Sequence, residues 1–385
     1  MRYLTAGESH GQALVVILEG IPSGLKLTKE WIDKELRRRQ IGYGRGERMK
    51  IEKDEVRIIS GVRLGKTLGS PVSFLIPNLD WKNWEKIMGA DEVENKDVPA
   101  FTRPRPGHAD LVGGIKYNFL DLRNVLERAS ARETAARVAA GAVCKKLLHE
   151  FNIKTFSRTV QIGREKDATA REEAIESYER IEKSPVRCLN FFTERKMIEL
   201  IDEVKRRGDT VGGIFEVIFL GLPPGLGSYI QWDLKLDARL AFSLMSIQAI
   251  VGVEIGAGFE ASSSFGSEVQ DEIAYNETRG FYRLSNRAGG IEGGMTTGEP
   301  LVLRVAMKPI STLAKPLRSV DIVSKKEVAA TKERSDVCAV PAASVIGEAV
   351  CAIEIAKAMR EKFGGDSLEE MRKNYLSYME YVRAR

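Results

Sequence analysis

An internal repeat is the sequence feature that most constrains the fold of this chain. The pattern Gly-Glu-Ser-His-Gly at residues 7–11 is matched in residue type by residues 208–212, and the turn at 20–25 is matched at the same offset by 221–226. Further glycine-rich stretches repeat in the same order. Sequence periods this long indicate duplicated structural units. We therefore predict two copies of a strand, helix, strand, strand, helix unit.

The helix that ends each copy is expected to be central. Ser130 and Glu133 are spaced as in a capping box, so the first of these helices is predicted to start at Ser130. The alanines and valines of residues 135–143 leave little polar surface on any face, which is typical of a helix packed on several sides. Arg334 and Asp336 occupy the corresponding place ahead of the second helix. A pseudo-two-fold arrangement would bring the two helix starts together.

The order of the elements predicts an α+β fold. Strands are joined through glycine turns and apparent hairpins, which fits poorly with a doubly wound parallel sheet. We expect one domain over residues 1–385, with copies at about 1–165 and 205–365 and with central helices sandwiched between mainly antiparallel sheets. Residues 77–118 are expected to be mostly irregular, and residues 151–207 to connect the two copies.

The composition is that of a globular protein with a sizeable core. The chain has 385 residues, 43% of them hydrophobic, and a net charge of +5 without a long basic tail. That charge argues weakly for anionic small molecules and more weakly for nucleic acid. Four cysteines lack metal-type spacing, and neither a signal peptide nor a membrane-spanning apolar run stands out. We predict a cytoplasmic protein without a metal, nucleic-acid or membrane partner.

Two of the three histidines lie in polar loops where they could transfer protons. His10 is flanked by glycines, and the second copy keeps those glycines but has Val211 in the matching position. This difference favours a chemical role for the histidine over a structural one. His108 is followed by Asp110, a carboxylate that could orient or charge the ring. A solvated loop side chain is the alternative for both.

Arginines accompany these loops. Prolines stiffen the segment 103–106, and more arginines stand within residues 37–48, at a helix end and in a glycine-rich loop. Guanidinium groups bind carboxylates and phosphates through paired N–H donors. Arg128 and Arg132 flank the start of the alanine-rich helix, where open N–H groups favour anions. The pattern predicts a substrate with several negative charges, with solvated surface charge as the alternative.

Three stretches of the sequence resemble the chorismate synthase family: residues 7–11, residues 128–134 with the following helix, and residues 334–349. Residues 103–110 and 308–312 are also similar to it. The resemblance implies a lyase of the shikimate pathway that removes phosphate and a ring hydrogen from 5-enolpyruvylshikimate 3-phosphate, giving chorismate. It also implies a requirement for reduced FMN without net redox change and a homotetrameric assembly. Some members of the family use NAD(P)H to reduce the flavin themselves.

The resemblance also implies roles for individual residues. His10 would protonate the departing phosphate, His108 would supply a proton to the reduced flavin, and Asp336 would help the flavin region accept the substrate proton. The implied substrate-binding residues are Ser9, Arg39, Arg45, Arg48, Arg105, Ser130, Arg132 and Arg334. The implied FMN-binding residues are Arg39, Arg45, Arg128, Ala129, Ser130, Gln248, Ala249, Gly293, Lys308, Pro309, Ile310, Ser311, Thr312 and Arg334.

Two other functions remain open at this point. A flavin or NAD(P)H oxidoreductase could use the same basic loops and would consume NAD(P)H without substrate. An RNA-binding or scaffold protein could use the net positive charge, and its binding would depend on salt. The sequence lacks the alternating aromatic and basic residues that a nucleic-acid platform uses.

Overall fold

The computed structural model describes residues 1–46, 51–91, 98–333 and 335–385, and it confirms the α+β class. Two large antiparallel sheets enclose the central helices, which bury their alanine-rich and valine-rich faces in one continuous core. Within the described ranges, no helix combines the length and apolar character of a membrane span.

The strands are short and follow the apolar runs of the sequence. The larger sheets contain β1 (Arg2–Ala6), β2 (Ala13–Glu19), β3 (Arg57–Ser60), β6 (Val72–Pro77), β7 (Lys154–Ile162), β8 (Glu165–Lys166), β9 (Gly213–Leu220), β10 (Ile250–Ile255) and β15 (Leu301–Met307). Two-stranded ribbons pair β4 (Val62–Arg63) with β5 (Lys66–Thr67), β11 (Ile273–Asn276) with β12 (Gly280–Arg283), β13 (Ile291–Glu292) with β14 (Met295–Thr296), and β16 (Arg318–Val320) with β17 (Glu327–Ala329).

The described helices range from one turn to more than six. They are α1 (Lys29–Gln40), α2 (Trp81–Met88), α3 (Asp110–Tyr117), α4 (Arg123–Ala129), α5 (Thr134–His149), α6 (Arg171–Glu176), α7 (Tyr178–Lys183), α8 (Phe191–Arg207), α9 (Leu236–Met245), α10 (Gly266–Val269), α11 (Val340–Phe363) and α12 (Leu368–Arg383). Short 3-10 turns cover Ala131–Glu133, Trp232–Leu234 and Gly258–Ser263.

The two sheets have matching strand orders. The first runs β1-β2-β6-β3 and the second runs β7-β9-β15-β10, with β8 added at its edge. Helix α5 packs on the first sheet, α11 packs on the second, and the two helices pack on each other. A Cβ atom on Gly141 of α5 would lie only 2.5 Å from the Cβ of Ala349 of α11, so glycine permits this close approach. The central, buried position predicted for α5 is confirmed.

The turns of the two halves share a hydrogen-bond pattern. The Thr67 hydroxyl donates to one backbone carbonyl of the turn at 20–25 at 2.6 Å and accepts from a backbone N–H there at 3.0 Å. The Thr296 hydroxyl makes the same two bonds with the turn at 221–226, at 2.7 and 2.8 Å. Matched strand order and matched turns support the proposal of two copies.

The central helix starts later than the sequence predicted. Ser130 caps the 3-10 turn Ala131–Glu133, where its hydroxyl accepts from the Arg132 N–H at 3.3 Å, and α5 begins only at Thr134. The expected capping box does not form there, because the Glu133 carboxylate bonds to the Arg137 and Gln248 side chains instead.

Residues 77–118 are mostly irregular where the structure describes them, as expected, but they also contain α2 and α3, whose eight residues each are too few to give a clear periodic pattern. One other sequence-based expectation was wrong. Residues 151–207 do more than connect, because β7 pairs along its length with β9 in the second sheet. Strand β7 stands there where β1 stands in the first sheet.

Candidate active site

His10 lies in the loop between β1 and β2 and is held from two sides. Its ring Nδ1 is 2.9 Å from Oε1 of Glu127, and its backbone N–H donates to Oε2 of the same carboxylate at 2.7 Å. The ring stacks on the indole of Trp84, with centroids 3.8 Å apart. These contacts leave Nε2 as the ring nitrogen for a ligand.

The Glu127 carboxyl group is ionised in this setting. Burial would raise its pKa, but the hydrogen bonds and charge of His10, aided by the positive charge of Arg123, outweigh burial and lower the pKa. An ionised carboxylate only accepts hydrogen bonds, so Nδ1 of His10 must be the donor.

The segment 128–130 fastens the histidine loop to the start of α5. The Ser130 hydroxyl donates to the Ser9 hydroxyl at 3.2 Å, and the Ser9 backbone N–H donates to the Glu127 carbonyl at 3.0 Å. The guanidinium of Arg128 donates to backbone carbonyls of the first strand and the following loop, and Ala129 lies between it and Ser130. Both predicted serines therefore lie beside His10.

Two predicted arginines form a buried pair around Asp54. Arg132 donates to Oδ1 of Asp54 at 2.5 Å and to Asn78 at 2.9 Å, while Arg39 lies 3.3 Å from Oδ2 and donates to Thr134 at 3.0 Å. Burial lowers the pKa of Arg39 to about 10, although Asp54 opposes the shift. In the described part of the chain, Nη2 of Arg132 is buried without a hydrogen-bond partner. This donor suits an anion.

His108 and Arg105 share a second buried carboxylate. Nδ1 of His108 is 2.6 Å from Oδ1 of Asp110, and Nε of Arg105 donates to Oδ2 at 2.8 Å. Arg105 also donates to the Thr312 hydroxyl at 2.9 Å. Burial would raise the pKa of Asp110, but the hydrogen bonds from His108 and Arg105 hold it well below its usual value. The sequence expectation that Asp110 orients His108 fits this geometry.

Asp336 lies across from the glycine-rich basic loop. Its carboxylate is 2.8 Å from a terminal nitrogen of Arg45, and it accepts from the Gly46 backbone N–H at 2.6 Å. This contact joins the two halves of the chain. Two further predicted substrate-binding residues, Arg48 and Arg334, lie outside the described residues.

Gln248 and Lys308 adjoin the other groups. The Gln248 amide donates to Glu133 at 2.9 Å, and its carbonyl oxygen is buried without a hydrogen-bond partner among the described residues. Ala249 has a positive φ of 66°, and its carbonyl accepts from the Lys308 N–H. The Lys308 ammonium in turn donates to the Gly107 carbonyl beside His108.

An arginine and an aromatic residue link the two histidine clusters. The guanidinium carbon of Arg123 is 5.3 Å from the ring centroid of Trp84 and 5.9 Å from that of Phe101. Arg105 lies over the same Phe101 ring at 5.9 Å. Sequence patterns did not identify five residues of this site: Arg123, Trp84, Glu127, Asp54 and Asn78. Only Arg123 carried a local signal, since it stands one helical turn before Glu127 on α4.

Of the remaining predicted residues, some lie beside the groups described above and others lie on the surface. Ser311 packs beside the His108 loop, and the Ile310 carbonyl accepts from the Thr210 hydroxyl at 2.7 Å. Pro309 lines a shallow groove of about 320 Å³ on the surface. Gly293 is exposed in the turn of the β13–β14 ribbon, and none of the contacts described above joins it to the other site residues.

Known proteins are similar to this chain over nearly its whole length. The family model described as chorismate synthase matches residues 1–360. The chain is 57% identical to the chorismate synthase of Aquifex aeolicus, covering 100% of this chain and 98% of that protein. It is also 57% identical to the one of Geotalea daltonii, covering 99% of each. A solved structure described as a crystal structure of chorismate synthase superposes with a TM-score of 0.81 at 48% identity, covering 100% of this chain and 98% of the other.

Proposed function

The chain belongs to the chorismate synthase family, and from that premise we propose which of its residues carry out the reaction. The family is one of lyases, whose reaction in the shikimate pathway converts 5-enolpyruvylshikimate 3-phosphate into chorismate and phosphate. The observation that carries our assignment is the placement of His10 on an ionised Glu127, beside Ser9 and Ser130.

The substrate phosphate is proposed to bind at this first cluster. Phosphate accepts several charge-assisted hydrogen bonds, and the hydroxyls of Ser9 and Ser130, which lie 3.2 Å apart next to His10, are proposed donors together with Nε2 of that histidine. Arg132, whose backbone N–H donates to the Ser130 hydroxyl, adds positive charge on the same segment. The two substrate carboxylates are proposed to bind to the other cationic groups of the site. The substrate-binding set remains Ser9, Arg39, Arg45, Arg48, Arg105, Ser130, Arg132 and Arg334.

His10 is proposed to protonate the phosphate as it departs. A highly charged phosphate is a poor leaving group, and a proton delivered to its oxygen lowers the barrier to breaking the carbon–oxygen bond. Because Nδ1 is committed to Glu127, the proton available for transfer is the one on Nε2. The elimination also removes a hydrogen from the substrate ring. We propose that this hydrogen leaves toward the side of the site that holds Asp336.

Reduced FMN is proposed as the cofactor, because the residues present fit it. The buried, unpartnered Gln248 carbonyl oxygen can accept from an N–H of the flavin ring edge, and the Lys308 and Arg128 cations can meet its phosphate. When bound, reduced FMN supplies an electron-rich ring that assists the elimination without net oxidation. His108, held by Asp110, keeps a proton available beside that region. The proposed FMN-binding set is Arg39, Arg45, Arg128, Ala129, Ser130, Gln248, Ala249, Gly293, Lys308, Pro309, Ile310, Ser311, Thr312 and Arg334.

A homotetramer in a reducing cytoplasm is proposed as the working form. Two observations support it. The four cysteines are free and buried, as reduced thiols packed like small hydrophobes would be. Large apolar side chains are exposed between Tyr229 and Leu284, including Trp232, Phe242 and Phe281, as at subunit interfaces. Sedimentation equilibrium of the purified protein measures the assembly directly.

The assignment is tested by anaerobic turnover of 5-enolpyruvylshikimate 3-phosphate with chemically reduced FMN. We expect chorismate and phosphate to appear together, and His10→Ala and His108→Ala to lose most of this activity while still binding FMN. A folded, flavin-bound wild-type protein that yields no chorismate would overturn the proposal. NAD(P)H consumption without substrate measures the alternative oxidoreductase activity in the same preparation.

A further inference from the structure

The reactive histidine of the proposed site is itself held by a buried carboxylate from another part of the chain. We propose that Glu127 is a positioning residue that fixes the proton of His10 on Nδ1 and aims Nε2 at the departing phosphate. The inference rests on the proposed proton-donor role of His10. It adds a residue that no local sequence pattern identified.

The geometry ties both the ring and its backbone to one carboxylate. Oε1 of Glu127 is 2.9 Å and Oε2 is 3.0 Å from Nδ1 of His10, and Oε2 also accepts the His10 backbone N–H at 2.7 Å. The Glu127 side chain is wholly buried, whereas the His10 side chain keeps 13% of its surface exposed. Because Glu127 bonds to both the ring and the backbone N–H of His10, the two side chains are held in one relative position.

Two further contacts hold the ring plane and its loop in position. A half-turn about the bond to the ring would remove Nδ1 from the carboxylate, and the stacked Trp84 indole limits tilting of the ring plane. The Ser9 backbone N–H donates to the Glu127 carbonyl, so the loop itself is registered against α4. The hydrogen bond on one ring nitrogen thereby fixes the role of the other.

The charges around Glu127 explain why a carboxylate is used. The described charged groups that face it are His10 from the loop and Arg123 from its own helix, whose Nη1 is 3.5 Å from Oε1. An ionised carboxylate accepts a stronger hydrogen bond from Nδ1–H of the ring than a neutral acceptor would. An amide in its place could still accept from Nδ1 but would supply no charge.

The second histidine loop repeats the arrangement. Nδ1 of His108 is 2.6 Å from the buried Asp110 carboxylate, and Arg105 binds that carboxylate as Arg123 approaches Glu127. The chain therefore pairs each loop histidine with an ionised carboxylate and an arginine. At His108 the carboxylate is two residues away, whereas at His10 it comes from a distant helix.

The test compares Glu127→Gln and Glu127→Asp with Glu85→Gln, which removes an exposed carboxylate next to Trp84 on α2. Steady-state turnover with reduced FMN is measured for each variant. For Glu127→Gln we expect kcat to fall by about 10²-fold, the lower range for a positioned proton donor, with KM within about twofold of wild type. Glu127→Asp should be intermediate, and Glu85→Gln should match wild type.

Histidine ¹⁵N NMR of the solid, labelled protein gives a readout independent of turnover. The three histidines are distinguished by the signal lost in His10→Ala. We expect the neutral ring of His10 in the wild type to carry its proton on Nδ1, and Glu127→Gln to give a mixture of the two neutral tautomers. A neutral His10 protonated only on Nε2 in the wild type would overturn the proposal.

Further outcomes separate this inference from the proposed function. Full activity of His10→Ala would overturn the proposed role of His10. A normal loss in His10→Ala together with an unchanged Glu127→Gln enzyme would overturn the Glu127 proposal alone. In the His10→Ala background, Glu127→Gln should cause no further loss of kcat. An additional loss there, or an equal fall in FMN binding and melting temperature, would identify Glu127 as merely structural.

Discussion

The loop that precedes β2 and the loop that precedes β9 have the same place in the two sheets but different chemistry. In the first, the Ser9 N–H donates to the Glu127 carbonyl ahead of α5, and in the second the Val211 N–H donates to the Val337 carbonyl ahead of α11. Each loop therefore docks through one backbone hydrogen bond, made by the residue before His10 in the first loop and by the residue that matches His10 in the second. Only the first loop carries a histidine on an acidic partner, so the scaffold and the chemistry can be separated.

The connections within the two sheets differ as well. Strands β1 and β2 are joined by residues 7–12, whereas β7 and β9 are joined by residues 163–212, which include β8 and three helices. The second half nevertheless contributes to the proposed site through Asp336, Thr312 and Lys308. One half thus supplies the proposed proton donor, and the other supplies partners to the charged groups of the proposed site.

Exchanging the loop residues should give the largest effect. His10→Val installs the residue of the second loop, and we expect kcat to fall by about 10²- to 10⁴-fold because the proton donor is lost. The reciprocal Val211→His should neither add activity nor rescue His10→Val. Turnover with reduced FMN measures both. Rescue by the double exchange would show that the two loops are chemically interchangeable.

The glycines of the two central helices should respond unequally to alanine. A Cβ atom on Gly141 would lie 2.5 to 2.7 Å from the Cβ, Cα and backbone oxygen of Ala349, so the helices themselves must separate. A Cβ atom on Gly347 would meet the Phe215 ring at 2.7 Å, and a side chain can shift. We expect Gly141→Ala to lower the free energy of unfolding by about 2–3 kcal/mol. Gly347→Ala should cost about 1 kcal/mol or less, since alanine favours the helix.

Urea denaturation measures both glycine variants. Equal losses would mean that the contact between the helices is as adaptable as the contact of α11 with its sheet. A stable, fully active Gly141→Ala protein would contradict the close packing of α5 on α11.

The matched threonines should respond equally. Thr67→Val and Thr296→Val each remove a buried hydroxyl that donates to one backbone group and accepts from another in its turn. Each should lower the free energy of unfolding by about 1–3 kcal/mol, because a buried N–H and a buried carbonyl lose their partner. Serine at either position keeps the hydroxyl and serves as the control. A difference of more than about twofold between the valine variants would weaken the proposal of two copies.

The smallest expected effect on stability concerns the connection between β7 and β9, residues 163–212. Glu182 of α7 lies 2.8 Å from Arg38 and 2.7 Å from Arg187. Burial opposes ionisation, but these arginines lower the pKa of Glu182 to about 2. A carboxyl group with a lowered pKa stabilises the fold above its unfolded pKa of about 4.5 and loses that contribution as the pH falls toward 2.

Glu182→Gln should therefore destabilise the protein at pH 7 by about 1 kcal/mol or less, since water partly screens the pair. The difference from wild type should vanish toward pH 2. Thermal unfolding across pH measures it, with Glu179→Gln on the same helix as the control. A difference independent of pH would mean that the ion pairs with the arginines do not supply the stabilisation.

Local patterns account for what the sequence predicted well. Alanine and valine on every face of residues 135–143 predicted a buried helix, and spaced glycines predicted turns, because both depend on neighbours in the chain. The pairing of Asp110 with His108 was also visible, since the two residues are neighbours in sequence. The family resemblance then identified most of the proposed site residues.

Contacts between distant segments account for what it did not predict. Glu127 meets His10 only because α4 passes under the first loop, and nothing in either local sequence specifies that partner. Trp84 is on a short helix in a stretch predicted to be mostly irregular. Asp54 gains its role from Arg39 and Arg132, which approach it from different elements. Tertiary packing, rather than residue type, selects these residues.

The pairing of the first turn with the far end of the chain also governs the order of folding during synthesis. The Ser23 N–H donates to the Asp366 carbonyl, and the Leu368 N–H donates to the Ser23 carbonyl. During synthesis, the turn at Ser23 therefore cannot form these hydrogen bonds until almost all of the remaining residues have left the ribosome. We expect the apolar helix faces of the N-terminal half to stay uncovered in that interval, when exposed hydrophobic surface favours aggregation.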